Sequence, residues 1–184
     1  MKIEVYSDGS ATIATKPGGY GYVIVFDGVK VSEGNGHMDK ATNNDAELEG
    51  ALQGLASVLK MRIDGKIPIG AHEVTLVSDS QIVLGWVSGT YRFKQRDKRH
   101  KYDQLMHVVK KLNVKTRWVE GHSGDTHNER CDKLANEGRK MYDIPKEKLA
   151  KAKPTKLTCE ELLRRIQVLE QEVKIIKEMN KVKV

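Results

Sequence analysis

The sequence predicts an α/β fold in which helices flank a five-stranded mixed sheet. Two patterns lead to this prediction. The first third of the chain carries three short apolar runs joined by short links, which is typical of an antiparallel meander. The remainder alternates amphipathic segments with short buried runs, which is typical of crossovers between parallel strands. The expected element order is therefore βββαβααβα.

Five strands are predicted from apolar runs that are bounded by turn residues, at 3–7, 20–26, 29–36, 74–77 and 114–119. Asp27-Gly28 separates the second run from the third, and this dipeptide favours a tight hairpin turn. The first three strands should therefore pair as neighbours in an antiparallel arrangement.

Four helices are predicted from apolar residues that recur at spacings of three and four. The longest extends through Met61, and a short one ends near Gly89. A third runs from about Tyr102 to Leu112. The fourth follows a possible capping pair, Thr126 and Glu129, and carries apolar residues at 131, 134 and 135.

The composition permits a soluble enzyme. At 184 residues the chain can form one domain of ordinary size with an appendage. It has no run of about 18 apolar residues and no secretory signal, so we expect a cytoplasmic protein that makes no membrane contact. Cys131 and Cys159 are too few for a disulfide framework or a zinc motif.

Composition divides the chain into a domain at 1–142, a Lys-rich linker at 143–156 and an amphipathic segment at 157–184. Apolar residues in the last segment alternate by three and four over about three heptads. We expect either a short coiled coil that forms a homo-oligomer, or a helix that docks on this domain or on a protein partner.

Four carboxylates lie where strands and helices of the predicted sheet should converge: Asp8, Glu47, Asp79 and Asp132. Each has an ordinary alternative. Asp8 could belong to a turn with Gly9, Glu47 could complete a capping box begun by Asn44, and Asp79 could cap the next helix. Asp132 could be solvated on a helix flank. Considered together, they would repel one another unless a cation lay among them, and oxygen ligands favour Mg²⁺.

A basic segment at 90–101 reads TYRFKQRDKRHK and contains six Lys or Arg residues and one Asp. Such a patch, interleaved with Tyr91 and Phe93, is typical of polyanion binding, although a solvated helix start is the alternative.

The motifs YSDGS, KPGGYGYVI, TNNDAELEGALQGL, SDSQIVLGW and WVEGHSGDTHNERCDKLANEG occur in this order over about residues 1–142. Together they resemble type 1 ribonuclease H. The resemblance implies an RNase H-like sheet and an endonuclease that hydrolyses the RNA strand of RNA/DNA hybrids to 5′-phosphomonoester products. It also implies two Mg²⁺ ions, without deciding between Mg²⁺ and Mn²⁺.

The same resemblance implies a role for each acid and for one histidine. Asp8 would bridge both ions, Asp132 would help to hold the ion that activates water, and Glu47 and Asp79 would complete the other. His122 resembles the mobile histidine that assists proton transfer or product departure. A hybrid-binding or oligomerising module that has lost catalysis is the alternative function.

Substrate contacts are also implied by position. Asn44 and Gln81 match residues that contact the minor groove, and Thr42 matches a residue that binds a phosphate of the DNA strand. Trp86 resembles a tryptophan that packs on a deoxyribose, with core packing as the alternative. Ala14 replaces an expected groove Asn. The segment at 90–101 is short for the basic protrusion of many family members, and we expect a reduced basic ridge there that contacts the DNA strand, made by Arg92, Lys94, Arg96, Lys98, Arg99 and Lys101.

Overall fold

The computed structural model describes residues 1–12, 16–67 and 72–141. Its elements follow the predicted order: β1 (Lys2–Ala11), β2 (Gly18–Phe26), β3 (Val29–Met38), α1 (Asn43–Ile63), β4 (Glu73–Ser78), α2 (Gln81–Ser88), α3 (Arg99–Leu112), β5 (Lys115–Trp118) and α4 (Thr126–Lys140). Ala14, the predicted linker and the predicted C-terminal helix lie outside the described residues. Among the helices of the described ranges, none has the length and apolar character needed to cross a membrane.

The five strands form one mixed sheet in the order β3-β2-β1-β4-β5. The first three strands pair antiparallel, and their hairpin turn has positive φ at both Asp27 and Gly28, as a two-residue turn requires. β4 pairs parallel with β1 and with β5. The predicted mixed sheet is therefore confirmed, and β1 lies at its centre.

β1 is longer than the sequence predicts. It continues to Ala11, and Asp8 pairs with Gly21 of β2 while Gly9 pairs with Tyr20. The interpretation of Asp8-Gly9 as a turn is therefore wrong. The side chain of Asp8 projects from a central, hydrogen-bonded strand, which holds it more rigidly than a turn would.

Helices cover both faces of the sheet. Side chains of a strand alternate between the two faces, so Ile3 and Val5 of β1 pack into a core with α1, α2 and α3. Tyr6 faces the other side, where it joins a smaller core that includes Cys131 and Leu134 of α4. Within the described ranges, α4 thus lies on the face of the sheet opposite α1, α2 and α3, with β1 between them.

The helix caps differ from the predicted ones. Thr42 caps α1 and forms a capping box with Asp45, Ser80 caps α2, and Asp125 caps α4. These residues have the extended backbone that an N-cap requires. The cap predicted at Thr126 is therefore one residue late. Neither Glu47 nor Asp79 supplies a cap, so both carboxylates are available for other contacts.

Two glycines of the sheet allow helices to approach the strand that carries Asp8. A Cβ on Gly9 would lie 2.3 Å from the Glu47 nitrogen, and a Cβ on Gly21 would lie 2.5 Å from the Cys131 oxygen. Both distances are far below van der Waals contact, so a side chain at either position would displace a helix. Because these two positions are glycines, α1 packs closely on β1 at Gly9 and α4 packs closely on β2 at Gly21, both beside Asp8.

Candidate active site

Three carboxylates meet at one end of the central strands. One oxygen each of Asp8, Glu47 and Asp79 lies within 4.8 Å of the other two. The parallel register that pairs Tyr6 with Val77 brings Asp8 and Asp79 together, because each lies two residues further along its own chain segment. Glu47 reaches the same point from the second turn of α1, whose start packs on Gly9.

Burial and mutual repulsion strongly perturb this cluster. Burial, together with the negative charges of Asp79 and Asp132, raises the pKa of Asp8 to about 7. Burial likewise raises the pKa of Glu47 to about 9, with the charges of Asp8 and Asp79 acting in the same direction. Both side chains are less than a tenth exposed. The ionised cluster is therefore unfavourable without a compensating cation.

The donor atoms fit a hard divalent cation. Glu47 Oε2 is buried and accepts no hydrogen bond from the described residues, whereas Oε1 accepts one from Asn43 Nδ2 at 3.4 Å. An unpartnered buried carboxylate oxygen beside two further carboxylates matches the all-oxygen ligand set that Mg²⁺ prefers. The site holds neither the sulfur nor the paired imidazole ligands that would indicate zinc.

Asp132 approaches the cluster from the opposite side of the sheet. It lies in the second turn of α4, beside Cys131, whose carbonyl packs on the strand partner of Asp8. It is not one of the three acids whose oxygens converge within 4.8 Å. Its negative charge nevertheless contributes to the raised pKa of Asp8. The structure therefore brings the fourth predicted acid to the edge of the cluster.

His122 lies in the loop between β5 and α4 and is exposed, with a positive φ of 55°. The preceding Gly121 passes so close to the cluster that a Cβ there would lie 2.7 Å from Asp79 Oδ2. The charge of His122 lowers the pKa of Asp8, which places the imidazole within electrostatic reach of that carboxylate. An exposed imidazole at the rim of an acidic cluster is able to carry protons between solvent and the site.

Comparisons with known proteins agree with this geometry. The family model described as RNase H matches residues 1–140. The chain belongs to the RNase H family. Its members are enzymes that depend on divalent metal ions. A ribonuclease H of Pseudomonas savastanoi pv. phaseolicola is 37% identical over 150 residues, which cover 74% of this chain and 91% of that protein.

Two solved structures of RNase H domains share the fold. The N-terminal RNase H domain of a Mycobacterium tuberculosis protein is 26% identical, with a TM-score of 0.65, and the match covers 77% of this chain and 96% of that one. LC11-RNase H1, solved in complex with an RNA/DNA hybrid, is 24% identical with the same TM-score of 0.65, covering 76% and 98% of the two chains. The predicted RNase H-like fold is confirmed.

The residues expected to contact substrate in an RNase H lie around the cluster. Thr42 is exposed at the N-cap of α1, Asn44 is half-buried in its first turn, and Gln81 is exposed at the first residue of α2. Gln81 also lines a groove of about 400 Å³ together with Tyr91 and Trp118. Thr42 and Asn44 thus lie at the start of the helix that carries Glu47, and Gln81 lies two residues after Asp79; we refer to these three residues as the polar face.

Trp86 belongs to the core and not to this face. It is 6% exposed and makes an edge-on contact with Phe93 at a ring separation of 4.9 Å. A sugar needs a free ring face to pack against, and the structure leaves almost none of this ring free. The structure therefore favours core packing for Trp86 over the predicted contact with a deoxyribose.

The basic segment at 90–101 divides into two groups. Lys98 lies 3.8 Å from Asp45, Lys101 pairs with Glu49, and Arg99 pairs with Asp103. The other three cations are exposed and form no ion pair with the described residues: Arg92, Lys94 and Arg96. The first group is thus already paired with carboxylates and the second is not, and contact of the ridge with the DNA strand stays a prediction.

Two asparagines near the acids were not predicted. Asn43 donates to Glu47 and accepts a hydrogen bond from the Ala11 nitrogen at 3.3 Å, which links α1 to the end of β1. Asn136 donates to Asp132 Oδ1 at 2.9 Å. Both lie four residues from the acid that they contact. A spacing of four places two side chains on one helix face, so this spacing in the sequence could have predicted both contacts.

Proposed function

We propose that this protein is a metal-dependent endoribonuclease that hydrolyses the RNA strand of RNA/DNA hybrids. The observation that carries the proposal is the convergence of Asp8, Glu47 and Asp79 at one buried point, with Asp132 approaching from α4. Membership of the RNase H family and its ribonuclease H relatives support it. LC11-RNase H1, which shares the fold, was solved with such a hybrid bound.

The four acids are proposed to hold two Mg²⁺ ions. Asp8 feels the charges of both Asp79 and Asp132, so we propose that it would contribute to both ions, with Glu47 and Asp79 contributing to one and Asp132 to the other. Bound there, the ions would supply an activated water and charge stabilisation at the leaving oxygen. The residues themselves would hold such ions in place, because strand pairing fixes the position of Asp8 and helix packing fixes that of Glu47.

His122 is proposed to move protons at the rim of the site. Its exposed position in a loop allows the imidazole to approach and leave the acids, and an imidazole ring is able both to donate and to accept a proton. We assign it to proton transfer at the leaving 3′-oxygen or to product departure. It is not a metal ligand in this proposal, because the oxygen donors are sufficient.

The polar face is proposed to read the hybrid. Asn44 and Gln81 flank the acids and present amide groups that are able to contact 2′-hydroxyls in the minor groove, where RNA differs from DNA. Thr42 is exposed beside the positive end of α1, which favours a phosphate of the DNA strand. Arg92, Lys94 and Arg96 extend this face with unpaired charge.

The decisive experiment compares cleavage of labelled RNA/DNA, RNA/RNA and DNA/DNA duplexes with Mg²⁺, with Mn²⁺ and with EDTA. We expect metal-dependent cleavage of the RNA strand of the hybrid alone, and loss of cleavage in Asp79→Asn. Asp39→Asn removes an exposed carboxylate remote in sequence and serves as the matched control. Hybrid binding without cleavage by the wild-type protein would favour the silent binding module instead.

We also propose that residues 157–184 mediate self-association, on the basis of their heptad pattern. Sedimentation of the full chain should give a larger mass than that of a chain ending at Asp143. Equal monomer masses would exclude assembly through this segment and leave docking on the domain or on a protein partner as its role.

A further inference from the structure

Asn136 makes two hydrogen bonds to the fourth acid. Its Nδ2 donates to Asp132 Oδ1 at 2.9 Å and to the Asp132 main-chain oxygen at 3.0 Å, one helical turn away. Asp132 Oδ2 accepts no hydrogen bond from the described part of the chain. The carboxylate is therefore held by one oxygen while the other is available.

The orientation of the Asn136 amide is determined by its neighbours. Its Oδ1 accepts from Ser10 Oγ at 2.8 Å and from Arg139 Nη2 at 3.3 Å. A guanidinium only donates hydrogen bonds and a carboxylate only accepts them. Only one orientation of the amide therefore satisfies both Arg139 and Asp132, with the oxygen toward Arg139 and the NH₂ toward Asp132.

This network joins α4 to the strand that carries Asp8. Ser10 lies on β1 two residues after Asp8, so both side chains project from the same face of the strand. The adjoining turn of α4 packs on Gly21, which pairs directly with Asp8. The bridge from Ser10 through Asn136 to Asp132 thus spans the two elements that carry these acids.

We propose that Asn136, oriented by Ser10, is a positioning residue that fixes the Asp132 side chain with Oδ2 available to a divalent ion shared with Asp8. The proposal rests on the proposed function for its metal. An aspartate side chain has two rotatable bonds, and both must be fixed for its oxygen to bind in one place. Partners that orient metal ligands typically change metal affinity or activity by about 10-fold to 100-fold when they are removed.

The test uses two substitutions at the position and one at its neighbour. Asn136→Ala removes the amide, and Asn136→Leu removes it while keeping a branched side chain, so a packing defect in one is separable from the lost hydrogen bonds. Ser10→Ala removes only one of the two donors that orient the amide. Glu137→Gln is the matched control, because Glu137 is the next residue on α4 and its side chain accepts hydrogen bonds from Arg130 and Asn35, not from the Ser10–Asn136–Asp132 network.

Three measurements follow: the Mg²⁺ concentration for half-maximal cleavage, kcat and KM for the hybrid, and the side-chain rotamer of Asp132 from three-bond NMR couplings in the metal-free protein. We expect both Asn136 variants to raise the Mg²⁺ midpoint by about 10-fold to 100-fold, with KM unchanged. Asp132 should change from one rotamer to an average of several. Ser10→Ala should have a smaller effect in the same direction, and Glu137→Gln none.

High Mg²⁺ should restore kcat in Asn136→Ala but not in Asp132→Asn, because the first variant keeps the ligand and the second lacks it. A wild-type Mg²⁺ midpoint in both Asn136 variants, or a single Asp132 rotamer in them, overturns the proposal. If the wild-type protein cleaves no hybrid, the proposed function fails, and the rotamer comparison still decides whether Asn136 positions Asp132.

Discussion

The acidic cluster and the basic segment at 90–101 each concentrate charge of one sign, but they differ in whether that charge is buried, paired or exposed to solvent. Asp8 and Glu47 are buried, and no cationic side chain of the described residues pairs with them, so their pKa values rise. In the basic segment, Lys98 and Lys101 pair with acids of α1 and Arg99 pairs with Asp103, while the other three cations face solvent. Solvated or paired charges are tolerated at little cost, whereas buried like charges require a ligand. The acidic cluster is therefore the part of the molecule that a bound cation would stabilise most.

The largest expected effect comes from neutralising the centre of the cluster. Asp8→Asn should lower kcat by about 10²-fold to 10³-fold or more, since metal binding contributes several kcal/mol to the transition state. In EDTA the same change should raise Tm by about 3 °C or more, because it removes a buried charge. Differential scanning calorimetry with EDTA and with Mg²⁺ checks this inverse relation between activity and stability.

Asp103→Asn is the control for that experiment, because Asp103 is exposed and contacts the basic segment through Arg99. It should change neither activity nor the response of Tm to Mg²⁺. If Asp8→Asn destabilised the metal-free protein, the comparison between buried repulsion and solvated charge would be wrong.

The pH dependence of stability is the next largest effect. The folded-state pKa values of Asp8 and Glu47 are raised from 3.8 and 4.5 to about 7 and about 9. A raised carboxyl pKa means that the folded state binds the proton more tightly than the unfolded state. The resulting stabilisation is complete below pH values near 4 and is lost as pH rises through 7 and then 9.

The free energy of unfolding of the metal-free protein should therefore fall between pH 5 and about 9, and Mg²⁺ should oppose this fall. Urea denaturation at several pH values with EDTA and with Mg²⁺ measures both slopes. The double variant Asp8→Asn, Glu47→Gln should show a flatter profile in EDTA. An unchanged slope in that variant would assign the pH dependence to other groups.

The division of the basic segment gives a third prediction. Replacing Arg92, Lys94 and Arg96 with Gln should weaken hybrid binding and reduce the slope of log K against log salt by about two to three units, because each phosphate contact releases about one counter-ion. Binding is measured with a catalytically inactive Asp79→Asn background by fluorescence anisotropy at several salt concentrations.

The matched triple replaces Lys98, Arg99 and Lys101 with Gln. These side chains already pair with acids, so the salt slope should change less, while the loss of contacts between α3 and α1 should lower Tm. Equal slopes in the two triples would show that pairing does not decide which cations contact the hybrid.

The smallest expected effect on function concerns Trp86, whose ring packs against Phe93 of the basic segment. Phe93 in turn stacks on Tyr102 at 4.4 Å. Trp86→Phe should lower the free energy of unfolding by about 1–3 kcal/mol through lost buried area and cavity formation. KM for the hybrid should stay unchanged when measured well below Tm. A raised KM in a stably folded variant would instead support contact between Trp86 and a deoxyribose of the hybrid.

Much of the fold was predictable because it depends on local periodicity. Alternating and helical spacings of apolar residues predict, in order, the nine elements found in the part of the chain that the structure describes, and Asp27-Gly28 predicts the hairpin. The caps were less predictable, since Thr42, Asn44 and Asp45 all have suitable side chains and only backbone geometry selects Thr42. The strand extension past Asp8 was missed because it depends on pairing with β2, which local sequence does not encode.

The sequence by itself determined which residues are available for the chemistry: four acids, one histidine in a glycine-flanked loop, and a basic segment, in the order of a known family. Only the tertiary structure decided how they are used. Burial placed Trp86 in the core, three cations of the basic segment found carboxylate partners, and contact between α4 and β1 joined Asn136 to Ser10. These outcomes depend on which distant residues become neighbours, and residue type and spacing do not contain that information.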